Sequence, residues 1–221
     1  MLLVACSGFP VPVSRYWDAF PAVEISDTEI AMPGRGSIRR WTRESPEDFA
    51  FSVLAPKLLG DTSFKKTAES DEALTAVMGL CTELKARALV FGAPATFTPT
   101  KTNRAALKRI VGLAPRKGGP ALVFDFPAWK PAQVLEAAQS DSVVAAYDPL
   151  LHEPVESGPL RYIRLAGPAG HRSRYDEPSI DQLSQHIKAL PDVSKRDTFC
   201  VFCNIDMETN ANQLLGRLSA R

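Results

Sequence analysis

The sequence predicts an α/β fold: a compact (β/α)8 TIM-type barrel spanning residues 1–221 as one domain, with some outer helices short or missing. Three observations predict it. Eight short runs rich in Val, Leu, Ile, Phe and Ala recur along the chain, bounded by Gly, Pro, Asp or Asn. The runs are nearly continuous in apolar character rather than alternating, as parallel strands covered on both faces are. Helical patterns fill most of the gaps, and strands alternating with helices form parallel βαβ units.

The runs are Leu2–Ser7, Ala22–Ser26, Phe49–Ala55, Ala88–Gly92, Ala121–Phe126, Val143–Tyr147, Leu160–Ala166 and Thr198–Cys203. Their length and their β-branched or aromatic content favour buried strands over helix fragments. Between them, Asp71–Ala86 places Leu74, Val77, Met78, Cys81 and Leu84 on one helical face. Thr102–Gly112 carries Ala106, Leu107 and Ile110, and Pro131–Ser140 opens with Pro in its first turn. Pro178–Leu190 repeats apolar residues at Ile180, Leu183, Ile187 and Leu190, and Asn210–Leu218 is the last helical pattern. Two gaps are lean: Pro10–Phe20 holds at most a short helix and Pro149–Pro159 none. An open doubly wound sheet is the alternative. It often carries a Gly-rich loop after the first strand, and Ser7-Gly8-Phe9-Pro10 is neither G-x-G-x-x-G nor a P-loop. Barrel closure sets the first strand beside the last and brings Cys6 near Cys200 or Cys203.

Composition excludes several classes. A net charge of +1 supplies no field for nucleic acid or an anionic membrane. No basic-aromatic stripe suits base stacking, and no apolar run approaches the ~18 residues of a membrane span. Leu3-Val4-Ala5-Cys6 can be read as the end of a lipoprotein signal. However, only five residues precede Cys6 and none is Lys or Arg, so a short strand and a cytoplasmic protein are expected. Cys200-Val-Phe-Cys203 fits C-x-x-C, but residues three apart on a strand face opposite ways. Buried reduced thiols are expected, not a zinc or redox site. His152, His171 and His186 show no metal-ligand spacing. No metal and no cofactor are predicted.

In such barrels the active site lies at the C-terminal strand ends. Polar residues there are Ser7, Glu24, Ser26, Asp125, Asp148, Arg164 and Asn204. Charge inside apolar strands is expensive unless paired. Glu24 and Arg164 therefore read either as an acid/base and an anion clamp or as an internal ion pair. Asp125 is a second carboxylate or a turn cap. Asp148, before Pro149, is a turn residue or a ligand contact. Asn204 and Ser7 are candidate ligand-binding residues. His171, Arg172 and Arg174 form either a mobile anion-binding loop or a solvated one.

Several segments, in order, resemble one family. Phe20-Pro21-Ala22-Val23-Glu24-Ile25-Ser26-Asp27-Thr28 resembles F-x-x-V-E-I/V-N-x-T. Trp41 with Ser45-Pro46-Glu47-Asp48-Phe49-Ala50-Phe51-Ser52-Val53 resembles W-x…P-x-x-F-x-F-S-V-K. Arg87–Phe97 resembles a strand ending Q-x-P-x-x-F, and Phe124–Trp129 the end of V-E-F-R-H-x-S-W. Tyr162-Ile163-Arg164-Leu165-Ala166-Gly167 resembles Y-x-R-L-H-G, and Phe202-Cys203-Asn204 with Ala211 resembles F-N-N…A. The pattern is that of the YecE-like family (domain of unknown function 72). The resemblance implies a (β/α)8 barrel with a mouth, and no particular reaction. The chain departs from it where Leu54 replaces Lys, Gly92 replaces Gln, Val123 and Asp125 replace Glu and Arg, and Ala166 replaces His.

Two functions follow as expectations. One is metal-independent acid/base chemistry by Glu24 and Asp125 on a small anionic, phosphorylated or carboxylated metabolite. Arg164, Asn204, Asp148 and Ser7 would hold it. The other is a non-catalytic binding or interaction module that has lost its reactive groups. A deep mouth with converging polar groups favours the first. A mouth filled by Leu54, Val123 and Phe126 favours the second.

Overall fold

Eight parallel strands alternate with helices along residues 1–113, 118–192 and 195–219, the parts that the computed structural model describes. The strands are β1 (Leu2–Ser7), β2 (Ala22–Ile25), β3 (Ala50–Leu54), β4 (Ala88–Gly92), β5 (Ala121–Asp125), β6 (Val143–Ala145), β7 (Arg161–Leu165) and β8 (Thr198–Phe202). The helices are α1 (Val13–Ala19), α2 (Arg35–Glu44), α3 (Lys57–Asp61), α4 (Ala68–Glu83), α5 (Lys101–Gly112), α6 (Pro131–Ala138), α7 (Glu177–Ala189) and α8 (Met207–Ser219). Sheet order runs β6-β5-β4-β3-β2-β1-β8-β7, so the first strand does lie beside the last. Among the described residues, β6 and β7 are the neighbours around the barrel that share no ladder. There a single parallel bridge, Tyr147 to Ile163, carries the closure. The Tyr147 N–H donates to the Tyr162 carbonyl at 3.2 Å, and its carbonyl accepts from Arg164 N–H at 3.1 Å.

Side chains separate into two layers by the period of two. Outward residues such as Val23, Ile25, Phe91, Phe124 and Cys200 pack under the helices. Inward residues include Ala5, Ala22, Ala50 and Ala88 from β1 to β4, and Tyr162 and Phe199 from β7 and β8. The small side makes room for the large one. Tyr162 and Phe199 stack at 5.3 Å between ring centres and fill the barrel. Cys200 faces the helices and Cys203 the interior, as strand geometry requires. Cys6 shares the outward layer with Cys200, because Val4 is the register partner of Cys200 and Cys6 that of Phe202. All four cysteines are free.

The short helix after β1 and the helix-free 149–159 segment are as expected. β6, however, stops at Ala145 rather than Tyr147. With no helix to cover it, the following segment folds back onto the strand. Gly158 adopts φ +64, and a Cβ there would stand 2.7 Å from the Val144 side chain and 2.8 Å from the Val143 carbonyl. The helical patterns read from the sequence include none between β2 and β3, and α2 forms there. It buries Ile38 and Trp41, three apart on one face, and its other residues are mostly charged or small, so it carries few apolar residues to mark it. α3 is also unforeseen. It approaches the end of β4 so closely that a Cβ on Gly60 would lie 2.4 Å from the Gly92 carbonyl oxygen. Gly60→Ala must push α3 off the barrel rim. The expected cost is about 1–3 kcal/mol, read from urea unfolding midpoints.

Candidate functional site

Strand alternation aims Ser7, Glu24, Asp125 and Arg164 inward at the carboxyl ends of β1, β2, β5 and β7. Ser7 and Glu24 are register partners across β1 and β2. Glu24 is fully buried, with 0% of its side chain exposed. Its carboxylate accepts from Ser7 Oγ at 2.7 Å and Tyr162 Oη at 2.8 Å. It also accepts from Arg164 Nε at 3.1 Å and Nη2 at 3.0 Å, in a side-on bidentate pair. The same guanidinium donates from Nη1 to Asp125 Oδ2 at 2.7 Å. Tyr162 gives its one proton to Glu24, so Ser52 Oγ, 2.8 Å away, donates to the Tyr162 oxygen. A ring of donors thus surrounds one buried carboxylate, and Arg164 bridges it to a second.

Burial alone would raise the Glu24 carboxyl. The Arg164 charge, with hydrogen bonds from Arg164, Ser7 and Tyr162, outweighs burial and holds it below its ordinary 4.5. A lowered carboxyl stabilises the fold above its unfolded value and loses that contribution as pH falls. The stability of the protein relative to Glu24→Gln is therefore expected to decline once pH drops below 4.5. Unfolding midpoints of the two proteins across an acid series check it. Asp148 has the opposite sign, since burial, the largest influence on it, raises its carboxyl.

Arg164 is 15% exposed and Asp125 30%. Both open onto a cavity of about 320 Å³ at the strand ends. Its lining includes Leu54 and Ala55 at the end of β3, Gly92 and Pro94 at the end of β4, and Ala166 after β7. Glu29, Lys57 and Asp61 complete the rim. Val123 lies inside the barrel below the mouth, and Phe126 packs outside it against Phe97 and Trp129. Of the three residues expected to fill a dead mouth, only Leu54 touches the cavity.

The other expected site residues stand elsewhere. Asp148 accepts from Leu150 N–H at 2.9 Å and Tyr175 Oη at 3.0 Å. Tyr175 Oη in turn accepts from Gly167 N–H at 2.9 Å. The group ties the loops after β6 and β7 together. Asn204 donates to the Ser173 carbonyl at 3.2 Å and Asn210 Oδ1 at 2.9 Å, and so joins β8 to α8. Ser7 bonds Glu24 rather than lining the cavity. His171 donates from Nδ1 to the Cys203 carbonyl at 2.6 Å, and Arg174 pairs with Asp206. Burial pushes the Cys203 thiol up, so it stays protonated.

Tyr162, Ser52 and Lys57 escape the search for polar strand ends. Two signals point to the first pair: Tyr162 shares its inward face with Arg164, and Ser52 interrupts an apolar strand. Lys57 lies past Pro56 in the unforeseen α3. Among the described residues, no group of three or more His, Cys, Asp or Glu side chains is arranged to hold a metal. Among them, too, no helix is long and apolar enough to cross a membrane.

No curated protein matches the chain. Solved structures do. A DUF72 family protein from Enterococcus faecalis V583 superposes with TM-score 0.78 at 19% identity, over 100% of this chain and 96% of that one. A DUF72 family protein from Thermotoga maritima MSB8 gives 0.76 at 19% identity, over 99% of each chain. A D-tagatose 3-epimerase-like protein gives 0.63 at 13% identity, over 98% of this chain and 96% of that one. At these identities the likeness shows a shared barrel fold. A family model described as "Protein of unknown function DUF72" matches residues 12–221, and the chain belongs to that family.

Proposed function

We propose that the cavity is the active site of an enzyme that moves a proton on a small molecule. Asp125 is the carboxylate that takes and returns the proton, and Arg164 is the donor that holds a substrate oxygen. One observation carries this reading. Arg164 is shared between two carboxylates, of which Glu24 is buried and saturated while Asp125 faces the cavity. Glu24 does not line the cavity, so its part is to position Arg164 and neutralise it. Ser7, Tyr162 and Ser52 fix Glu24 in turn.

The step suited to this pair is proton abstraction beside a carbonyl. Asp125 Oδ1 accepts the proton from carbon, and the C–H electron pair moves into the carbonyl. The oxygen that becomes negative is stabilised by an Arg164 N–H. Return of the proton from Asp125 completes the cycle without a metal, cofactor or second reactant. The free cysteines accord with a cytoplasmic setting.

The test is isotope exchange. The protein and Asp125→Asn are incubated in D2O with pooled small carbonyl compounds, and deuterium uptake is read by mass spectrometry. Uptake by the native protein at least about 100-fold above the variant is expected. Equal uptake, or none, overturns proton transfer by Asp125. A second reading, a binding module without turnover, rests on Leu54, Gly92 and Ala166 standing where the family pattern has Lys, Gln and His. It predicts ligand binding with no exchange.

A further inference from the structure

Arg164 alone suggests an anionic ligand, but its surroundings argue otherwise. Its charge is already met by Glu24 and Asp125, two carboxylates to one guanidinium. The rim adds Glu29 and Asp61 against Lys57. A phosphate or carboxylate entering here would sit beside Asp125 with its repulsion uncompensated.

Hydrogen-bond capacity narrows the choice further. A guanidinium has five N–H donors. Arg164 commits Nε–H and one on Nη2 to Glu24, and one on Nη1 to Asp125. Two remain without a partner among the described residues. Asp125 Oδ1 is likewise an acceptor without one, since only Oδ2 is used. The wall therefore sets an open acceptor beside open donors. An anion, which only accepts, leaves Oδ1 unmet. An ammonium, which only donates, leaves the Arg164 N–H groups unmet. A hydroxyl does both.

Three other residues of the lining carry no charge. Leu54, Gly92 and Ala166 stand at three places where the YecE-like pattern carries Lys, Gln and His, and all three line this one cavity. A Cβ at Gly92 would meet nothing within 4 Å, so the space there is open. At these three places the lining is small or apolar and offers surface for C–H groups. Its volume, about 320 Å³, lies at the small end of ligand pockets.

Resting on the reading of this cavity as the active site, we infer that the ligand is a neutral, hydroxyl-rich small molecule of monosaccharide type, which carries a carbonyl as well as hydroxyls. One hydroxyl donates to Asp125 Oδ1, whose second lone pair stays free for the carbon-bound proton, and the neighbouring carbonyl oxygen accepts from Arg164.

Calorimetric titration tests it. The probes are glucose and fructose, with glucosamine, glucose 6-phosphate and fructose 6-phosphate as charged counterparts. The proteins are native, Asp125→Asn and Gly92→Gln, the last filling the pocket while leaving Asp125 and Arg164 in the chain. The expected result is a neutral probe bound about tenfold or more tightly than its charged counterpart, because mismatched partners leave buried groups unpaired. Gly92→Gln is expected to abolish that binding and Asp125→Asn to weaken it. Tighter binding of a phosphate or amine, lost in Gly92→Gln, overturns this inference and leaves the cavity as the site. Binding untouched by Gly92→Gln overturns the site itself. Binding of none of the probes overturns the inference, and the exchange experiment then judges the site independently.

Discussion

Arg164→Met is expected to destabilise the protein by on the order of 3–5 kcal/mol, the cost of leaving a buried charge unpaired. The stranded charge is Glu24, which has no exposed surface and takes two hydrogen bonds from the lost guanidinium. Ser7 and Tyr162 still donate to it, but neither carries a charge. Asp125 suffers less, because water reaches it. Against the roughly 5–15 kcal/mol that holds a domain together, this loss is large. Urea unfolding at low temperature measures it. Glu24→Gln with Arg164→Met removes both members of the buried pair, and the double variant is expected to regain much of the loss. A buried pair is costly to break and cheap to delete. A single variant within about 1 kcal/mol of native would mean that water already solvates Glu24, and the closed ion pair would be wrong.

Asp125→Asn is the mirror image. It keeps the shape of the side chain, and Oδ1 of the amide still accepts from Arg164 Nη1. A group 30% exposed with one bond to the protein contributes little to folding, so a stability change under about 1 kcal/mol is expected. Proton transfer is expected to fall by about 10²–10⁴, the usual worth of a positioned acid or base. Loss of activity without loss of fold separates Asp125 from Glu24. Glu24 variants are expected to change stability and activity together, because they act through the placement of Arg164. If Asp125→Asn unfolds as readily as Arg164→Met, Asp125 is part of the scaffold and not the reacting group.

The difference between these two carboxylates marks what the sequence reveals and what it withholds. Glu24 and Arg164 stand out because a charge within an apolar strand needs a partner. Their strands lie apart in the chain, and spacing alone does not say that they meet. The barrel brings them together across its interior, where Arg164 reaches both β2 and β5. Nor does spacing distinguish the buried carboxylate from the open one. Asp148 and Asn204 are conspicuous as polar residues at strand ends, yet both turn to loops and helices. β6 leaves the ladder at Ala145, so alternation no longer dictates where Asp148 points. Asn204 follows β8 and is drawn to α8 by Asn210.

The eight strands were legible because burial on both faces forces continuous apolar runs. α2 was not, because its one-sidedness comes from its charged face, and reading for apolar residues passes over a helix that has only Ile38 and Trp41 to bury. α3 is only five residues long, and its placement depends on Gly60 meeting the Gly92 backbone, a contact that no periodicity records. The cavity shares that origin. It exists because Leu54, Gly92 and Ala166 come from separate strand ends and converge, while the sequence shows them only as scattered replacements.

The most direct measurement is carboxyl carbon NMR of Asp125 and Glu24 during titration with ligand. Division of labour between the two groups predicts that the Asp125 carboxyl carbon shifts on binding while that of Glu24 holds still. Glu24 should also remain ionised to a pH below 4.5. A Glu24 resonance that moves with ligand while Asp125 is silent would contradict the account. It would make the buried carboxylate, and not the open one, the group that meets the substrate.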